Sequence, residues 1–197
     1  DFLAKSGSTD AGALRYYGYF CIYLKDYEKA LDKLLSAYAL DPLNVNLNSQ
    51  IAYTYMTLPV PNYTEALKYL GNSIVFDPLN TWCYKNMGIC YQKISPPDLN
   101  KSLEYYLKAY TYDKDDFWLL NKIGSCYQNI EKPDFEKSRE FLEKAIAIND
   151  KDFGVLSDLG YASQWVNYPD FPKALEYHLA AFALDDSNVW NMKNIGY

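Results

Sequence analysis

The chain has 197 residues, about half of them apolar, with 21 tyrosines and a formal charge of −6. That composition excludes disorder and allows a sizeable core, while the acidic balance argues against a nucleic-acid partner. No run reaches the roughly 18 consecutive apolar residues of a membrane helix, and the opening Asp1-Phe2-Leu3-Ala4-Lys5 is not a secretory signal.

Taken in chain order, residues 1–10 read as the end of a preceding helix. From there a small residue recurs at Gly18, Ala52, Gly88, Gly124, Gly160 and Gly196, first after 34 residues and then every 36. Two further small-residue series, Ala30-Ala66-Ser102-Ser138-Ala174 and Ala37-Ser73-Ala109-Ala145-Ala181, keep the same 36-residue step. Apolar residues precede the first series at Tyr17, Ile51, Met87, Ile123 and Leu159, and Leu34, Leu70, Tyr106, Leu142 and His178 mark the second half of each unit. Each unit therefore predicts two helices that approach closely where their small residues meet, and a pair this short must stack on a neighbour to bury its other apolar face.

The breaks agree with this reading. Proline followed by Asn or Asp stands between the paired helices at Pro61-Asn62, Pro97-Asp98, Pro133-Asp134 and Pro169-Asp170, stopping one helix and capping the next. Asn62 with Glu65 has capping-box spacing. Asp41-Pro42 and Asp77-Pro78 separate units. The predicted units are 11–44, 45–80, 81–116, 117–152 and 153–188, with 189–197 opening a sixth, so the chain reads as one array, 1–197, and as part of a longer one.

The succession Gly18-Ala30-Leu34-Ala37-Pro42 resembles the tetratricopeptide repeat (TPR), and the likeness runs over about residues 11–197 with two extra residues at the turn in later units. Sel1-like repeats reach this length, but their glycine-rich turns are absent. The resemblance implies an all-α, right-handed superhelical solenoid of antiparallel helix pairs. It also implies a groove lined by the first helix of each pair, holding another protein's peptide or helix.

On that register the groove residues are Arg15, Tyr19, Gln50, Tyr53, Trp82, Lys85, Asn86, Trp118, Asn121, Lys122, Gln128, Trp165, Trp190 and Lys193. The cations on this face outnumber the lone Asp158, and Trp82, Trp118 and Trp190 hold equivalent places, which together fit an acidic or carboxylate-bearing peptide. Packing of these tryptophans between neighbouring helices is the competing reading. The Lys/Asn carboxylate clamp of chaperone-binding TPR domains is not matched, since Ile89 stands where an asparagine is required.

Chemistry is sparse. The one histidine, His178, takes a packing position, and the acidic pairs Asp115-Asp116 and Asp185-Asp186 fall at junctions, where they favour the start of a helix. Cys21, Cys83, Cys90 and Cys126 form no CxxC pair and read as small buried hydrophobes. The expected protein is a non-enzymatic scaffold needing no cofactor or metal, soluble in cytoplasm or periplasm. The alternatives are an array that self-associates through its repeat ends, or a regulatory domain of a larger protein.

Overall fold

The computed structural model describes residues 10–185 and 193–195. Among them are ten α-helices of 12 to 14 residues: α1 Ala11–Tyr23, α2 Tyr27–Leu40, α3 Val45–Thr57, α4 Tyr63–Phe76, α5 Thr81–Lys93, α6 Leu99–Tyr110, α7 Phe117–Asn129, α8 Phe135–Ile148, α9 Phe153–Trp165 and α10 Phe171–Leu184. No strand occurs among the described residues. The chain divides into two compact units between Asp98 and Leu99, so α1–α5 belong to the first and α6–α10 to the second. The predicted repeat 81–116 is thereby shared, with α5 in one unit and α6 in the other.

Within the first unit α1 packs on α2 and α3 on α4, while α2 and α4 also contact the helix that follows. In the second unit α7 pairs with α8 and α9 with α10, and α6 and α8 each contact the next helix. The small residues explain the closeness of the pairs. A Cβ on Gly18 would lie 2.6 Å from Leu34 Cγ, one on Gly124 2.5 Å from Leu142 Cγ, and one on Gly160 2.6 Å from the His178 ring. His178 is fully buried in the leucine position and meets Gln164 Nε2 at 3.1 Å, so the packing role expected of it is the one it has.

Helix starts follow the capping residues. Asn44, Asn80, Asp116 and Asp152 each accept a hydrogen bond from the backbone N–H three residues on, and Asp26, Asn62, Asp134 and Asp170 do the same for the second helix of a pair. The backbone N–H of this second set closes the turn. Asp26 donates to the Cys21 carbonyl five residues back, whereas Asn62, Asp134 and Asp170 donate to Tyr55, Tyr127 and Ser163, seven residues back. The two residues that lengthen later units are thus accommodated inside one conserved bond. The short turn reverses direction with Lys25 at φ 60°, a left-handed conformation that L-residues seldom adopt.

The tyrosines have a structural use that the composition alone did not show. In the first unit Tyr69 meets Tyr38 edge-on (centroids 5.2 Å) and stacks with Tyr55 (5.8 Å). In the second, Phe141 meets Tyr110 edge-on (5.2 Å) and stacks with Tyr127 (5.9 Å). Each partner lies two 36-residue steps beyond its counterpart.

Candidate functional site

Three first helices of the first unit converge on one open cleft. Arg15, Tyr19 and Ile22 sit at i, i+4 and i+7 on α1, so they share a face; Asn46, Ser49, Gln50 and Tyr53 do the same on α3. Trp82 completes the lining from the first turn of α5, which Asn80 anchors by accepting the Cys83 N–H at 3.1 Å. The cleft holds ≈ 300 Å³. Its walls are aromatic and accessible: Tyr19 is 57% exposed, Tyr53 39% and Trp82 38%.

Two polar residues of the lining differ in their surroundings. Gln50 Oε1 is buried and has no hydrogen-bond partner, an unmet acceptor of the kind folded proteins rarely leave. Arg15 holds its guanidinium 4.7 Å from the Tyr16 ring, and no carboxylate pairs with it among the described residues. Ser49, by contrast, is turned to structure, with its Oγ 3.1 Å from Ser73 Oγ and 3.8 Å from Cys83 Sγ.

The second unit carries a different arrangement. Trp118 is edge-on to Tyr106 (5.7 Å), and Lys122 Nζ lies 5.7 Å from the Trp118 ring. Asp158 on α9 is half-buried; desolvation lifts its carboxyl to about 6, with Lys122 opposing the shift and Asp152 adding to it.

Of the residues expected on the groove face, Arg15, Tyr19, Gln50, Tyr53 and Trp82 are brought together. Lys85 and Asn86 are half-buried on α5, and Asn86 spends its amide on the Trp82 carbonyl of its own helix (2.7 Å). Trp118 and Lys122 stand together in the second unit on the same helix as half-buried Asn121. Gln128 departs from expectation: it is buried, with Nε2 donating to Ser138 Oγ (2.8 Å) and to the Asp158 carbonyl (2.9 Å), so it braces α7, α8 and α9 instead of facing a groove. Trp165 is exposed at a helix–helix turn, against Phe135 and Tyr161, beside the polar residues Lys132, Asp134, Glu136 and Asn167. Lys193 is exposed, and Trp190 lies outside the described residues.

Ile22, Asn46 and Ser49 line the cleft without having been singled out. The repeat register carried the signal for two of them, since Asn46 occupies in its unit the place of Trp82 and Ser49 that of Arg15 and Lys85. No lining residue of the cleft pairs a hydroxyl nucleophile with a histidine or carboxylate base. The four cysteines are buried free thiols, and burial pushes Cys90 up to about 12. No group of metal-ligating side chains forms among the described residues, and no helix there is long and apolar enough to cross a membrane.

No protein-family model matches the chain, and no curated protein matches it in sequence. Solved structures do match in shape. A structure of YrrB, described as a TPR protein with an unusual peptide-binding site, superposes with TM-score 0.80 at 15% identity, covering 94% of this chain and 91% of that one. A MamA crystal structure gives 0.76 at 18% identity over 89% and 92%, and MamA residues 41 to the end from Desulfovibrio magneticus RS-1 give 0.76 at 18% over 91% and 97%. At such identities the likeness speaks to fold: this chain has the all-α fold of paired helices found in tetratricopeptide-repeat proteins.

Proposed function

We propose that this chain, with its tetratricopeptide-repeat fold, is a non-catalytic scaffold that captures a peptide or helix of another protein on its first helices. The carrying observation is the first-unit cleft. It is aromatic and open to solvent, with Arg15, Asn46 and Gln50 among its lining residues. Its ≈ 300 Å³ sits at the lower edge of small-molecule pockets, about 300–1,000 Å³, a size that suits one or two side chains of a longer ligand. Exposed Tyr and Trp with an Arg are the residue types that dominate binding energy at protein interfaces. The peptide-binding description of YrrB, a neighbour in fold, supports the same use of the fold.

The finer reading is that the segment is acidic or carboxylate-bearing, since Arg15 in the cleft is a cation that pairs with no carboxylate among the described residues. Selection from a displayed random-peptide library against the immobilised chain tests the proposal. Selected peptides are expected to lose most of their affinity for a Trp82→Ala variant whose far-ultraviolet circular dichroism is unchanged. Peptides that bind this variant as well as the parent, or no selection at all, would overturn it.

A second reading rests on a different surface. Phe20 is 54% exposed on α1, while Thr54 and Ala162, at the same repeat position, are both 0% exposed on helices that pack against the one before. With Tyr16, Tyr23 and Leu24 also exposed, α1 offers an apolar face of the kind a second copy could cover by continuing the array.

A further inference from the structure

Three helix pairs close on a glycine, and the last of the three closes on a different kind of side chain. A Cβ on Gly18 would lie 2.6 Å from Leu34 Cγ and one on Gly124 2.5 Å from Leu142 Cγ. One on Gly160 would lie 2.6 Å from Cε1 and 2.7 Å from both nitrogens of His178. The crossings match in geometry and all three partners are fully buried, so a leucine would fill the place of His178. What the imidazole adds there is a site for a proton. Gln164, one turn beyond Gly160 on α9, places Nε2 3.1 Å from His178 Nε2. An amide nitrogen only donates, so this ring nitrogen accepts while the ring is neutral; protonation makes it a donor and sets N–H against N–H.

We propose that the α9–α10 crossing is an acid-sensitive latch, closed by neutral His178 and released when the ring takes up a proton. A charge forced into this crossing is costly where the two leucine crossings carry none, and release returns the ring to water. Among the described helices α10 has its main packing partner in α9, so one interface has to yield. The charged groups of the surrounding helices are Asp158 on α9, drawn to Lys122, and Lys173 and Glu176 on α10, paired at 2.9 Å. Arg139 and Glu143 on α8 act on Tyr177 next to His178, and the Tyr161 ring lies against Phe135 and Trp165. Asp152, Asp170 and Asp185 cap helix ends. The open pair binds the proton near the ordinary imidazole range, about 6.5. Closure is therefore fully present above that range and is lost as pH falls below it.

Hydrogen exchange of the α10 amides in the parent chain and in His178→Leu, compared at equal pH so that intrinsic rates cancel, tests the latch. Protection of α10 in the parent relative to the variant is expected to fall by up to about tenfold per unit from about pH 6.5 to about pH 5. The α2 amides, in the first unit, should stay equal in the two chains. His178→Gln, which can bond Gln164 but does not titrate, should follow His178→Leu and serves as the reference if the leucine chain folds poorly. Asp158 is present in every chain compared, so its own titration cancels. A relative protection that stays constant over this range overturns the proposal, as does a relative loss that α2 shares equally.

Discussion

Asp158 shows how one residue on a packed helix can set a pH dependence. Its carboxyl is pushed up to about 6 in the folded protein from an ordinary 3.8, because burial penalises the charged form more than Lys122 relieves it. The folded state therefore binds the proton more tightly than the unfolded state, and stability rises as pH falls through the window between these values. At neutral pH the ionised side chain costs up to about 3 kcal/mol. Asp158→Asn is expected to be more stable than the parent by about 1–3 kcal/mol near neutral pH, with the difference closing at about pH 4. Urea denaturation of both proteins across that range checks this, and a gap that stays constant with pH would contradict it. The position was named in the sequence only as the lone carboxylate opposing the groove cations. Its desolvation was not legible there, because Gln128, expected to face a ligand, instead folds inward and bonds the Asp158 carbonyl.

At the scale of helices and turns, local chemistry was largely readable. Proline-Asn and proline-Asp pairs mark where second helices begin, and Asn62 accepts the Glu65 N–H at 3.0 Å as its spacing required. The reciprocal half of a capping box was not to be expected from spacing alone, since the Asn62 N–H is committed to the Tyr55 carbonyl. Only the three-dimensional turn reveals that commitment. The short α1–α2 turn has the same closing bond with two residues fewer, and Lys25 bears the strain. Lys25→Gly is expected to stabilise the protein by about 0.5–1 kcal/mol, since glycine adopts positive φ without the Cβ clash. Thermal unfolding that is unchanged or shifted downward would contradict this. The cleft is legible at this scale in part: Arg15, Tyr19, Gln50, Tyr53 and Trp82 follow from repeat register, but the unmet Gln50 acceptor depends on how α1, α3 and α5 come together.

For the molecule as a whole, the apolar face of α1 bears on association between copies. If a second copy covers it, light scattering should show a mass that rises with concentration, and Phe20→Glu should hold the protein at monomer mass without altering its circular dichroism. A parent chain that stays monomeric throughout would remove that reading. The 36-residue register made the succession of helix pairs apparent from sequence. What it hid was a coarser rhythm, because Tyr38, Tyr55 and Tyr69 look like scattered tyrosines until Tyr110, Tyr127 and Phe141 are seen to repeat their contacts. Only the edge-on tyrosine skips a step, with Ile74 and Ile146 standing between and after Tyr38 and Tyr110, and that alternation makes the helix-pair doublet the natural module for engineering. An extension of this protein that respects its aromatic triads would add doublets, whereas splicing in a single pair would set the side chains of one phase against partners suited to the other.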